Sequence, residues 1–207
     1  MKAIMISGKP KWTAKIANGD KSTEVRTSKS LYKAIQKLID EYGYADIYWY
    51  CTKDKKIFLR DFRDKKKWAA YWRFVAMEND PSNVGELPPI LNGKVIFKFR
   101  CYKMEEILPF EEYESPFGMA YKLTKDKIVC CQKAQLTYDE YNHYLKGKKG
   151  CAIHISDLEI FDKPKELSEL KSYKKNIVNT KINGMVFETE LDNSLIKAPQ
   201  NYCYIEI

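Results

Sequence analysis

The sequence has few of the residues and patterns that build metal centres or membrane spans. It contains two histidines, and its six cysteines are scattered except for one adjacent pair, so no Cys-x-x-Cys or Cys/His cluster has zinc-ligand spacing. No apolar run approaches the length of about 20 residues that crosses a bilayer, and the N-terminus turns polar too soon for a signal peptide. We therefore expect no metal, no cofactor and no membrane partner, and a cytoplasmic protein with reduced thiols.

Apolar residues and positive charge are both abundant. Hydrophobic residues make up 44% of the 207 positions, with 15 tyrosines and 4 tryptophans, which is enough apolar area to bury a core. Lysine and arginine number 36 against 28 acidic residues, a formal charge of +8. This balance favours polyanions such as nucleic acid or a phosphate-bearing ligand, but it is equally typical of an ordinary soluble basic surface.

The length favours one domain over residues 1–207, with an insertion at about 54–92. Within the insertion, lysines and arginines alternate with tryptophan and tyrosine before a proline-rich loop. Residues 61–92 therefore have the mixture of cations and aromatics seen in single-strand binding surfaces, and a solvated basic helix is about equally consistent with it.

The first quarter of the chain alternates strands and helices. Residues 2–7 predict a buried strand, and Pro10 suits the first turn of a short helix that Gly19 ends. Residues 21–27 predict a second strand. Apolar residues at helical spacing from Ser30 as N-cap to Gly43 predict an amphipathic helix.

The middle of the chain predicts two paired strands and then a stretch without a clear pattern. Residues 46–51 are aromatic and β-favouring, and residues 56–60 could pair with them as a hairpin. Residues 93–102 predict a strong strand, whereas residues 103–135 show no pattern that we can assign.

A capping box then marks a further helix, because Thr137 is followed three residues later by Glu140. Strands are predicted at 151–155 and 158–161. Their apolar parity switches between them, as a bulge or a change of direction requires.

The C-terminal part predicts strands at 185–191 and 202–207. Many short strands, two or three helices and no βαβ rhythm indicate an α+β protein, specifically a small mixed β-barrel with helices packed around a cleft.

The densest polar cluster lies on the second predicted strand. Alternation places Ser22, Glu24 and Arg26 on one face, with Lys21 at the entrance of the strand. A lysine, a carboxylate and a guanidinium that converge in a cleft could bind phosphate and shift one another's pKa. An exposed strand with ordinary salt bridges is the alternative.

The opening of the chain resembles ASCH domains, which are relatives of PUA and EVE domains, and particularly the forms found in phages and prophages. The resemblance rests on a strand followed by Ser7-x-Lys9-Pro10-x-Trp12 and then Ile16-x-x-Gly19-x-Lys21-x-x-Glu24-x-Arg26. It implies a PUA-like barrel with a cleft, RNA binding, recognition of modified bases and, in some compact members, hydrolysis of acylated cytidine. Lys21 matches the lysine of the hydrolytic members, but Glu24 stands where they carry a threonine, so a catalytic Lys21/Glu24 pair that activates water is a second hypothesis.

The candidate binding residues surround this motif and the strands near it. Lys9 and Arg26 are assigned to phosphate, Tyr202 to base stacking, and Gln200 to a base edge or merely to a turn. His154 is a contact candidate through the resemblance, although a lone histidine on a strand is more often structural. The full set of binding candidates is Ser7, Lys9, Trp12, Arg26, His154, Gln200 and Tyr202.

Three functional hypotheses follow. The first is a binding module for RNA, single-stranded nucleic acid or a nucleotide, including modified ones. The second is a hydrolase of modified nucleosides or RNA that uses Lys21 and Glu24, and the third is a phage accessory protein that binds a host macromolecule through residues 61–92. Cys51, Cys130 and Cys131 are interpreted as buried thiols rather than nucleophiles.

Overall fold

The structure, a computed structural model, describes residues 2–53, 93–116, 118–174, 176–182 and 185–207, with side chains of 176–191 excepted. The insertion at 54–92, including the predicted strand 56–60, lies outside the described residues. The predicted α+β class is confirmed. The described strands do not form a closed barrel; their largest sheet is open, with six strands.

The N-terminal strand β1 (Lys2–Gly8) lies inside this six-stranded sheet, because its apolar side chains on both faces need cover. It pairs in parallel with β3 (Ala45–Cys51) and antiparallel with β13 (Tyr202–Glu206), and β3 pairs antiparallel with β4 (Val95–Cys101). Both edges of β3 are thus paired within the sheet. In spatial order the strands are β10 (Lys171–Ser172), β13 (Tyr202–Glu206), β1 (Lys2–Gly8), β3 (Ala45–Cys51), β4 (Val95–Cys101) and β9 (Ser156–Lys165).

Two helices cover one face of the large sheet. Helix α1 (Pro10–Ala17) begins at the proline, and α2 (Lys29–Tyr42) ends at Gly43, whose φ of 81° is the left-handed conformation expected there. The N-cap of α2 is Ser28 rather than the predicted Ser30, because the Ser28 hydroxyl accepts from the Leu31 N–H. The apolar stripe of α2 packs with β1, β3 and β4 in the main core.

A second, three-stranded sheet carries the polar cluster. Its central strand β8 (Gly150–His154) pairs antiparallel with β2 (Thr23–Arg26) and with β5 (Met104–Ile107). One face packs on α3 (Lys125–Ala134) and α4 (Tyr138–Leu145) in a separate core. The predicted capping box at the start of α4 is present.

The two sheets share one bent pair of strands. Residues of β4 pair with β9 in the large sheet, and the same two chain segments continue as β5 and β8 in the small one. The bend falls between His154 and Ser156. Asp157, the next residue, has a φ of 47°. The predicted change of direction between 151–155 and 158–161 is therefore confirmed.

The stretch that showed no pattern contains β5, α3 and a hairpin of β6 (Glu111–Ser115) and β7 (Gly118–Lys122). The strands of this hairpin are largely exposed, so no apolar alternation marks them. A second hairpin joins β11 (Asn176–Ile182) to β12 (Met185–Leu191). Among the helices in the described ranges, none has the length and apolarity that a membrane span requires.

Candidate nucleic-acid-binding pocket

The polar cluster on β2 is a buried ion-pair chain, not an exposed strand of ordinary salt bridges. Glu24 Oε2 lies 3.3 Å from Lys21 Nζ, and Glu24 Oε1 lies 2.7 Å from Arg26 Nε. The exposed fractions of the side chains are 2% for Lys21, 8% for Glu24 and 15% for Arg26. One carboxylate therefore balances two cations away from water.

Lys21 is held on every side by the structure around the start of β2. Its ammonium donates to the carbonyl of Ala134 at the end of α3, over a distance of 2.8 Å, and lies 5.1 Å from the centre of the Trp12 ring. Burial lowers the pKa of Lys21, and the neighbouring Glu24 carboxylate opposes this shift. Lys21 is thus an enclosed cation that fixes Glu24.

Arg26 is the member of the chain that reaches a cavity. Its Nη2 donates to the carbonyl of Ser7 at 2.7 Å, and its guanidinium carbon lies 5.7 Å from the centre of the Trp49 ring. The Nε contact with Glu24 is ionic, because the N–H is not aligned with the carboxylate oxygen. Ser7 and Glu24 together hold the guanidinium at the end of β2 while part of it stays accessible.

A cavity of about 430 Å³ opens at this end of the small sheet; we call it the Arg26 pocket. It forms because Arg26, Cys151 and Glu106 lie in one row across β2, β8 and β5, and the N-terminus of α2 faces that row. Its walls are Arg26, Thr27, Ser28, Lys29, Tyr32, Lys33, Glu106, Lys149, Gly150 and Cys151.

The side chains that line the Arg26 pocket carry a net positive charge. Four of them are cationic and one, that of Glu106, is a carboxylate, which forms an exposed ion pair with Lys149 at 2.7 Å. Lys29 occupies the first position of α2, and no acidic residue lies in that first turn. Because a helix N-terminus carries positive partial charge, a lysine there is unfavourable until an anion binds.

The structure brings several of the predicted site residues together. Ser7 contacts Arg26 through its carbonyl, and its hydroxyl donates to Pro199 O at 2.9 Å, so the segment containing the exposed Gln200 lies beside the end of β1. Asn201 donates to Ser28 of the pocket wall at 2.7 Å. The half-buried Tyr202 follows directly, with its ring against Tyr204.

Other predicted residues lie elsewhere. His154 pairs across the strands with Thr23, on the face of the small sheet opposite Arg26, and its Nε2 is 3.6 Å from Glu105. Trp12 packs over Lys21 and not in the Arg26 pocket. Lys9 is exposed at the start of α1, where its carbonyl accepts from the Thr13 N–H.

The sequence reasoning missed most of the pocket wall. Lys29, Tyr32, Lys33 and Lys149 are not among the predicted site residues, and the sequence pattern of α2 predicts only its apolar stripe. A signal was present, because Lys29, Lys33 and Lys37 recur every fourth residue and so share one face of the helix. Lys149 gave no such signal, since only the pairing of β2 with β8 brings it near Arg26.

Of the three cysteines interpreted as buried thiols, Cys51 and Cys131 are buried and Cys130 is only partly buried. Burial raises the pKa of the Cys101 and Cys203 thiols to about 11 and that of Cys131 and Cys151 to about 12. Cys151 lines the Arg26 pocket, but its thiol is protonated at neutral pH and therefore a poor nucleophile.

No protein-family model and no curated protein matches the sequence. Among solved structures, the chain is similar to the N-terminal domain of Staphylothermus marinus McrB, with a TM-score of 0.41 and 10% sequence identity. The similarity covers 81% of this chain and 77% of that chain.

Proposed function

We propose that this protein is a nucleic-acid-binding module of the PUA-like, ASCH-type kind, and that its ligand enters the Arg26 pocket. The observation that carries the proposal is the cavity of about 430 Å³ that four cationic side chains, including Arg26, line together with Tyr32. Phosphate recognition needs such cations, and a neighbouring aromatic ring gives a base a surface for stacking.

Each part of the pocket has a role in this proposal. Arg26, held by Glu24 and Ser7, is a preoriented fork for phosphate oxygens, so little side-chain entropy is lost on binding. Lys29 and Lys149 add charge from two other elements. Glu106 and the backbone around Gly150 give polar contacts for a base or sugar.

The binding reading is favoured over hydrolysis by Lys21 and Glu24. Neither side chain lines the Arg26 pocket, and the Lys21 ammonium is already occupied by Glu24 and the Ala134 carbonyl. A general base must reach the proton that it removes. In our proposal Lys21 and Glu24 are positioning residues for Arg26. The third hypothesis, a host macromolecule bound by residues 61–92, lies outside the described residues.

The test is titration of a fluorescein-labelled single-stranded RNA hexamer and a panel of nucleoside monophosphates, followed by anisotropy and by calorimetry. Arg26→Gln is expected to weaken binding by about tenfold or more, because a charge-assisted contact contributes about 1.5–3 kcal/mol. Lys149→Gln, at an exposed position, should weaken it without affecting folding. Lys163→Gln on β9, the edge strand of the large sheet, removes the same charge at an exposed position that does not line the pocket, and it is the matched control.

Urea unfolding of each variant separates loss of binding from loss of structure. If Lys149→Gln and a folded Arg26→Gln both bind as tightly as Lys163→Gln does, the proposal is wrong.

A further inference from the structure

A second cavity continues the Arg26 pocket along α2. It also measures about 430 Å³, and it is lined by Tyr32, Lys33, Gln36, Lys37, Asp40 and Glu41, which we call the α2 groove. Tyr32 and Lys33 line both cavities. The two cavities therefore adjoin at one aromatic and one cationic side chain of α2.

The lysines of this path are free to meet a ligand. Lys29, Lys33 and Lys37 are exposed, and none of them has an ion-pair partner among the residues that the structure describes. Like charges four residues apart destabilise an isolated helix. Successive lysines stand about 6 Å apart along the axis, because each residue rises about 1.5 Å.

The far end of the groove has the opposite charge. Asp40 and Glu41 line it beyond Lys37, and Asp40 accepts a hydrogen bond from Gln36 at 2.8 Å. These carboxylates repel phosphate. The attractive path therefore runs from the Arg26 pocket to Lys37 and stops there, which gives it a defined length.

From this geometry we infer that the ligand is a short single strand of nucleic acid and not a free nucleotide. One nucleotide occupies the Arg26 pocket, a base stacks on Tyr32, and the next phosphates contact Lys33 and Lys37. The inference rests on the proposed function and specifies its ligand. Lys29 and Lys37 are about 12 Å apart, which corresponds to about four nucleotides at a stacked rise of about 3.4 Å. A duplex does not satisfy this arrangement, because the stacking contact with Tyr32 needs an unpaired base.

The experiment measures affinity against length, with single-stranded oligonucleotides of one, two, four, six and ten residues, at about 50 and about 200 mM salt. Affinity should rise up to about four nucleotides and then level off. Lys37→Gln should leave mononucleotide binding unchanged while it weakens the hexamer. It should also reduce the salt slope by about 0.7, the value for one phosphate contact on a single strand.

Two further variants complete the design. Tyr32→Leu, which keeps apolar volume but removes the ring, should weaken the hexamer by about fivefold or more, since stacking contributes about 1–3 kcal/mol per base. Lys163→Gln is again the matched loss of charge, and it should leave both the affinity and the salt slope nearly unchanged.

The outcomes separate this inference from the proposed function. If mononucleotides bind through Arg26 with no gain from added length, or if Lys37→Gln equals Lys163→Gln on the hexamer, the path along α2 is wrong and the pocket proposal stands. If neither mononucleotide nor oligonucleotide binds, both are wrong. Equal affinity for a duplex of the same length would overturn the assignment to a single strand.

Discussion

The substitution Glu24→Gln removes the one carboxylate of the buried ion-pair chain while keeping its shape. It leaves Lys21 and Arg26, 2% and 15% exposed, as two cations that face a neutral amide. Breaking a buried pair by removing one partner costs about 3–5 kcal/mol. For 207 residues with an unfolding entropy of about 2.1 cal/mol/K each, this corresponds to a fall in Tm of about 7–12 °C.

The matched control is Glu111→Gln, the same chemical change in an exposed ion pair. Glu111 lies 3.1 Å from Lys122, and both side chains are about 70% exposed, so its loss should cost about 0–1 kcal/mol. Both variants would be unfolded by urea and by heat, with tryptophan fluorescence and circular dichroism as probes. If Glu24→Gln shifts Tm no more than Glu111→Gln, the chain of charges does not hold β2 as we argue.

Two further predictions concern the surroundings of the pocket, one at Gly8 and one at Lys21. Gly8→Ala would place a Cβ 1.9 Å from a ring carbon of the fully buried Trp49, so we expect urea unfolding to show a destabilisation of about 3 kcal/mol or more. As the control, the Cβ of Gly43→Ala meets no atom within 4 Å, and its φ of 81° should lower the free energy of unfolding by only about 1–2 kcal/mol. Equal losses in the two variants would contradict the predicted clash. Lys21→Met tests the lowered pKa of Lys21, because between the folded pKa of this lysine and 10.5 the unfolded wild-type chain binds more protons at this site than the folded chain does. The free energy of unfolding of wild type, relative to that of Lys21→Met, should therefore rise with pH in that window. A flat or falling difference would contradict the burial of a charged lysine.

The elements that the sequence predicted correctly are those in which local chemistry and burial agree. The helix from Pro10, the helix that ends at Gly43 and the capping box at Thr137 all have the expected positions, because propensity, caps and apolar periodicity point the same way. The N-cap prediction at Ser30 is wrong, because both Ser28 and Ser30 precede Leu31 and only the Ser28 hydroxyl accepts from the Leu31 N–H. Hydrogen-bond geometry, not residue type, distinguishes them.

The candidate site was predictable only where it lies within one segment. Strand alternation alone placed Glu24 and Arg26 on the same face, and the structure pairs them. The Arg26 pocket also requires Lys149, which comes from a loop more than a hundred residues later. Its position depends on the register of β2 against β8, which the sequence did not reveal.

The pairing of β1 with β13 has a consequence for how this chain reaches its native state. Lys2 lies opposite Glu206, so the central strand of the large sheet has one edge open until almost the whole described chain has been made. Closing so large a loop makes folding slow, and an unpaired strand edge invites association with another chain in the meantime. During synthesis, the unpaired edge of β1 is therefore a site at which association with another chain can occur.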